Sequence, residues 1–396
     1  MTPRLVQLLP GGRATVARLR FSAALAAAGT CFAADPADAA APAGGRFPPT
    51  RPSSVAPVEP AVTLPGPAAS PEASSRDPAE SSANVAVPAP VGSEGVSHVA
   101  TDALPNPEVP SGPAPENWLD AQVELARRGF SSGSIDGIVG PKTRAALRAF
   151  QASQGLPESG ELDAPTRERL RMSAPAVEVR AVAAADVADL QPLGRTWLGK
   201  SQQSALAFEN TLEAVAERFH AHPALLRRLN PDVNWDTVVA DTPVRVPAVE
   251  RVELGVRAAR LQIHLGERVL QARDDLGRVV AHFPVSIGRE AVSRPVGELH
   301  VTVAIPDPNY TFDPVVFPES AEGRELGRKL ILPPGPNNPV GVAWIGLDRP
   351  GYGIHGTPSP ERIGSAESHG CFRLANWDAR TLLRLVWVGL PVDVVP

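Results

Sequence analysis

Residues 35–116 place the tightest limit on how this chain can fold. The stretch is dominated by Ala, Pro, Ser, Val and Gly and shows no apolar periodicity. Such a segment buries too little surface to offset the entropy of ordering its backbone. It reads as a disordered, partly extended Pro/Ala-rich linker, so compact structure is expected to begin at Asn117. The 44 prolines among 396 residues are about twice the usual share, in keeping with that reading. The remaining length allows two or three domains. A net charge of −5 argues against a nucleic-acid partner, because neutralising phosphates takes a basic face.

Ahead of the linker, Arg4, Arg13, Arg18 and Arg20 precede an apolar run from Phe21 to Gly29, and small residues close it at Ala33 and Ala34. This pattern reads as an export signal over residues 1–34 and predicts a protein of the periplasm or cell envelope. The run is too short to span a bilayer, and no other stretch is apolar enough to do so, so no stable membrane span is expected. Thr30 precedes Cys31 where a small Gly, Ala or Ser would favour lipidation, which argues against a lipid anchor. Without the signal, Cys371 is the one remaining cysteine. It cannot form an internal disulfide, which leaves a buried bystander, an intermolecular bridge or a reactive thiol.

Three patterned regions follow. Leu119, Val123 and Ala126 have helical spacing, with Gly129 as a stop. A half-hidden repeat then places Gly133-Ser-Ile-Asp136 before Pro141, and Gly160-Glu-Leu-Asp163 before Pro165. Each copy combines a turn, an Asp and a proline suited to a first helical turn. The prediction is a small all-α three-helix domain over 117–172. Residues 173–194 read as a second linker. Over 195–250, helices are expected from Asn210 to Phe219 and from Pro223 to Leu229, with a closing strand at Val244–Pro247, giving a small α/β unit. Over 256–396, period-two alternation in Leu261–Leu265, Arg268–Ala272, Val279–Ile287 and Leu299–Ile305 predicts strands. Val342–Leu347 and Pro391–Val395 are further strand candidates. One late helix runs from Asn376, read as its N-cap, to Val386. This region therefore reads as mainly β, sandwich- or barrel-like.

The chemistry concentrates in Tyr352-Gly-Ile-His355-Gly356-Thr and in Ser368-His369-Gly370-Cys371-Phe-Arg373-Leu. A thiol attacks as the thiolate, and an ordinary cysteine titrates near 8.5. An imidazole either pairs with the thiolate or takes its proton during attack. His355 lies sixteen residues before Cys371 and His369 two before it. Residues i and i+2 of an extended strand share a face, so His369 can flank the sulfur, whereas His355 must arrive from a neighbouring segment. Gly370 permits a tight turn or a close substrate approach. The backbone N–H groups of Gly370 and Cys371 are candidate oxyanion donors. Arg373 can either hold a carboxylate bidentately or form a structural ion pair. Zinc is the other use of one Cys and two His, but the spacing fits no usual zinc template.

These residues resemble the catalytic motif of the L,D-transpeptidase (YkuD-like) family. Pro284-Val-Ser-Ile-Gly288 and Leu332-Pro-Pro-Gly-Pro-Asn-Asn-Pro-Val-Gly341 resemble it as well, while Ser293-Arg-Pro-Val-Gly297 departs from the common Thr-Pro-x-Gly. The resemblance implies Cys371 as nucleophile, His355 as base and the Gly356 carbonyl as its orienter. His369 and Gly370 would belong to the oxyanion environment, and Arg373, Ser368 and Tyr352 would contact substrate. It implies peptidoglycan peptide stems as substrate and no metal or organic cofactor. The acceptor would be a second stem, a wall-anchored lipoprotein or, for an L,D-carboxypeptidase, water. A non-catalytic wall-binding protein is the alternative of a different class. The run from Gly133 to Gln151 resembles the small helical peptidoglycan-binding domain. Residues 195–250 resemble a divergent LysM glycan-binding module, with Glu209-Asn-Thr-Leu212 where Gly-Asp-Thr-Leu is usual; a simple docking subdomain is the other reading.

Overall fold

The computed structural model describes residues 111–249, 252–289, 294–364 and 370–396. The expected signal (1–34) and nearly all of the expected linker (35–116) lie outside the described residues. No helix among the described residues is long and apolar enough to cross a membrane.

The first unit holds α1 (Trp118–Arg127), α2 (Pro141–Ser153) and α3 (Ala164–Arg169). Asn117 and Asp163 cap α1 and α3 by accepting from the Asp120 and Thr166 N–H groups, which satisfies donors that a helix start leaves open. Leu125, Leu147, Phe150 and Leu170 are fully buried between the helices, each contributing about 1.5–3 kcal/mol by leaving water. The sequence repeat has a structural counterpart in two buried glutamines. Gln122 donates to Asp136, the Ile138 carbonyl and Thr143 and accepts from Gly137 N–H. Gln151 donates to Ser159, the Glu161 carbonyl and Thr166 and accepts from Gly160 N–H. Each glutamine thus ties down the turn of its own half.

The second unit begins earlier than the sequence suggests. Strand β1 (Val177–Ala181) lies inside the stretch expected to be a linker and pairs antiparallel with β2 (Pro243–Pro247), Val177 opposite Pro247. Its side chains stay largely exposed, so it carries little alternation, and the ladder hydrogen bonds rather than burial hold it. Between the strands come α4 (Ala185–Ala188), α5 (Trp197–Ser201), α6 (Thr211–Arg218) and α7 (Pro223–Leu229). Leu212, Val215, Leu226, Val244 and Val246 form its core.

The third unit is a curled eight-stranded sheet. Its strands are β3 (Arg260–His264), β4 (Val269–Arg273), β5 (Val279–Pro284) and β6 (Gly297–Pro306). A separate pair, β7 (Tyr310–Phe312) and β8 (Leu330–Leu332), follows with helix α8 (Ala321–Leu326) between them. The sheet then continues with β9 (Ala343–Leu347), β10 (Gly353–His355) and β11 (Phe372–Arg373), and ends, after helix α9 (Asn376–Leu385), with β12 (Pro391–Val395). The order is β11-β10-β9-β6-β12-β3-β4-β5. Ser286, just past β5, bridges Arg373 of β11 with reciprocal N–H···O bonds of 2.9 Å, so the two edges meet and the sheet closes. Leu261, Ile263, Phe283, Ile345, Ile354, Phe372 and Val392 fill the interior, and Leu382 and Leu385 of α9 pack onto it. Helix α8 adds to the single late helix expected. Asn376 is not the cap of α9: Ala375 holds that position, and Asn376 is its first residue, fully buried, with its amide spent on loop backbone.

The three units are stitched together through backbone. Ser131 N–H donates to the His282 carbonyl, and His282 N–H donates to the Gly129 carbonyl, adding a bridge to the free side of β5. Ile135 pairs with His220 and His222 of the second unit in the same way.

Candidate active site

Strand register brings the motif residues together. His355 lies opposite Trp344 of antiparallel β9 and opposite Arg373 of parallel β11. Paired residues on neighbouring strands project to the same face, and so do residues two apart on one strand. Ile354 and Phe372 fill the interior, so Trp344, His355, Arg373 and, two residues before it, Cys371 belong to the opposite face. The β7–β8 pair covers that face. Cys371 packs at the edge of a cluster that includes Tyr310, Phe312, Leu330, Leu332 and Trp344.

His355 is buried, and its Nδ1 lies 2.7 Å from the Gly356 carbonyl oxygen. A carbonyl only accepts, so Nδ1 carries the proton and Nε2 keeps its lone pair. The ring stacks on Trp344 at a centroid distance of 5.7 Å. Burial, then repulsion from the Arg373 guanidinium, pushes the imidazole down to about 3, against the opposing hydrogen bond to Gly356. At neutral pH the ring is therefore neutral.

Gly356 has no room for a side chain. An ideal Cβ there would stand 2.2 Å from Asn376 Oδ1. That oxygen accepts from Val342 N–H at 3.3 Å, while Asn376 Nδ2 donates to the Pro336 carbonyl at 3.1 Å. Asn376 thereby braces the turn whose carbonyl orients His355, a role hidden in the sequence behind its resemblance to a cap.

Cys371 is half-buried, with Sγ 3.4 Å from the Gly351 carbonyl oxygen. Burial pushes its thiol above the ordinary cysteine value, opposed by a backbone hydrogen bond from Gly353 and by the Arg373 charge. These shifts favour a neutral Cys371 thiol and a neutral His355 imidazole at rest. Of the two routes open from sequence, proton transfer during attack fits this arrangement better than a standing ion pair. Arg373 is partly buried, and its Nε has no hydrogen-bond partner among the described residues. Gly370 is buried next to the cysteine. Tyr352 packs against the barrel core under the Arg349 guanidinium, 4.5 Å from its ring centroid. Ser368 and His369 lie outside the described residues.

Tyr310 is the neighbour that sequence reasoning missed. Its phenol is pushed upward, first by burial and then by Cys371, with Arg373 opposing. A three-residue strand carries no readable alternation, and only the fold brings it to the cysteine.

Comparison with known proteins bears on this geometry. Residues 258–394 match the YkuD family, described as the L,D-transpeptidase catalytic domain, and residues 115–170 match the peptidoglycan binding domain PG_binding_1. The first match coincides with the closed sheet, and the second coincides with the three-helix unit. The chain is similar to the L,D-transpeptidase YkuD of Bacillus licheniformis, 27% identical over 47% of this chain and 94% of that protein. It is similar to YkuD of Bacillus subtilis at 24% over 47% and 93%, and to the L,D-transpeptidase YcfS of Escherichia coli at 27% over 56% and 70%. A solved L,D-transpeptidase from Xylanimonas cellulosilytica aligns at 18% identity over 74% of this chain and 100% of that chain, with a TM-score of 0.30.

Proposed function

We propose that this chain is an exported peptidoglycan L,D-transpeptidase in which Cys371 carries the acyl group. The observation that carries the reading is the shared face of His355, Arg373 and Cys371, with His355 Nε2 left as the acceptor by the Nδ1 bond to Gly356.

In the proposed reaction, Sγ attacks the carbonyl at the L-centre of the third residue of a tetrapeptide stem, and Nε2 takes the thiol proton. Backbone N–H groups at Gly370 and Cys371, together with His369, receive the developing oxyanion. Collapse breaks the bond to the terminal D-Ala, whose amine takes the proton back from His355, and leaves a thioester on Cys371. Neutral His355 suits both transfers, because it can accept at the first step and donate at the second. The unpartnered, buried Nε of Arg373 is suited to a stem carboxylate. An amine of a second stem, or a lysine of a wall-anchored lipoprotein, then resolves the thioester; water would make the enzyme an L,D-carboxypeptidase. Ser368 and Tyr352 are kept as further stem contacts, the three-helix unit as a wall-binding module, and residues 195–250 as a glycan-binding or docking unit. The cell envelope is the compartment where these substrates occur.

Purified muropeptides test the reaction. Cross-linked dimer that disappears with Cys371→Ala is expected. Tripeptide without dimer would replace the transferase with the hydrolase, and an active Cys371→Ala variant would exclude thiol chemistry.

A further inference from the structure

The cover over Cys371 is held from outside the catalytic domain. Residues 193–206 precede the family match by more than fifty positions, yet they dock on the β7–β8 pair. Trp197 stacks on Phe312 at a centroid distance of 4.4 Å and 13° between planes, and it lies 6.4 Å from both Tyr310 and Phe317. The backbone N–H groups of Trp197 and Leu198 donate at 2.8 and 2.7 Å to the two carboxylate oxygens of Glu322 on α8. Leu206 is fully buried beneath the pair, giving its N–H to the Pro334 carbonyl and accepting from Asn337 N–H. Trp197, Leu198, Tyr310, Phe312 and Cys371 all belong to one apolar cluster.

We propose that Trp197 and Glu322 are positioning residues for the acyl-donor cleft, fixing the β7–β8 cover and Tyr310 against Cys371. This deepens the transpeptidase reading and rests on it. Two unlike interactions hold the same element: an aromatic stack fixes the tilt of Phe312, and a two-point hydrogen bond fixes the distance of α8. A cover that needed only to exclude water could rest on apolar contact alone. The paired bonds to both Glu322 oxygens define one orientation, and a 1 Å displacement of a substrate wall is enough to lower a rate about 100-fold. The second unit therefore completes the cleft rather than only carrying it to the wall.

The test uses the full chain with Trp197→Ala, Trp197→Phe and Glu322→Gln. Two rates are read at Cys371: acylation by a tetrapeptide stem, as kcat and KM, and alkylation by iodoacetamide, with thermal unfolding alongside. Trp197→Ala is expected to raise KM for the donor at least tenfold and to speed alkylation at least threefold, as the cover loosens around the sulfur. Trp197→Phe should restore both to within threefold of the parent, and Glu322→Gln should fall between. Donor kinetics and alkylation in Trp197→Ala within twofold of the parent would overturn the proposal. So would equal losses in Trp197→Phe and Trp197→Ala. If the parent itself is not acylated by the stem, the transpeptidase reading fails, while the alkylation ratio still decides whether Trp197 holds the cover.

Discussion

Asn376 Oδ1 occupies the space that a methyl group at Gly356 would need, 2.2 Å from an ideal Cβ. The neighbouring Gly341 is pressed against the same oxygen, where an ideal Cβ would lie at 2.0 Å. One buried amide thus fixes the turn that holds His355.

Gly356→Ala is accordingly expected to displace either Asn376 or the carbonyl that orients His355. Overpacking of this kind costs about 1–3 kcal/mol. Loss of the imidazole orientation should slow acylation of Cys371 far more than it lowers stability. Thermal unfolding and acylation rates measured on one preparation separate the two effects. Full acylation by the alanine variant would show that the carbonyl does not position the ring.

A neutral Cys371 thiol and a neutral His355 imidazole at rest have their own signature. Iodoacetamide reports the thiolate, so alkylation of Cys371 should climb through alkaline pH without a plateau near neutrality, since burial raises this thiol. His355→Ala should leave alkylation at neutral pH within about twofold while removing most acylation by a peptide stem, because the base acts only during attack. A plateau below pH 7 that His355→Ala abolishes would mean a standing ion pair.

Much of the catalytic unit is legible in the amino-acid sequence alone. The alternation in Leu261–Leu265 appears as β3 because that strand buries one face against the closed interior, and Val279–Ile287 appears as β5, which is buried nearly throughout. The residues of the chemical motif are visible too, and strand register sets two of them, His355 and Arg373, opposite each other. What stays hidden depends on partners distant in sequence. Strands β7 and β8, three residues each, are too short to show a period, so their pattern cannot place Tyr310 near Cys371. Strand β1 pairs with residues 62 to 70 positions later and stays largely exposed. Asn376 has the right residue type for a cap and is spent elsewhere. Trp197 falls within the small unit expected over 195–250, and nothing in the sequence around it points to the distant Phe312 it stacks on.

Stability should vary with pH in two opposed ways. Burial pushes Asp378 up to about 8, against the Ser131 hydroxyl that donates to it at 2.9 Å, and burial likewise pushes Glu217 up to about 8. A raised carboxyl favours the folded state below its unfolded value, and that gain is lost as pH rises toward about 8. His282 and His355, both pushed down to about 3 by burial, favour the fold above their unfolded value near 6.5. Their contribution is lost as pH falls from about 6.5 toward 3. Between about pH 6.5 and 8 only the carboxyls contribute, so Asp378→Asn should flatten the decline in urea midpoint across that window. An unchanged slope would show that Asp378 is ionised in the folded protein.

The thioester itself is the most direct test. Intact-mass measurement after incubation with tetrapeptide muropeptides should find the chain heavier by one stem less its terminal D-Ala. The added mass should map to Cys371, and it should be absent from Cys371→Ala and strongly delayed in His355→Ala. No adduct, or one that forms on another residue or at an unchanged rate without His355, would contradict acyl transfer through Cys371.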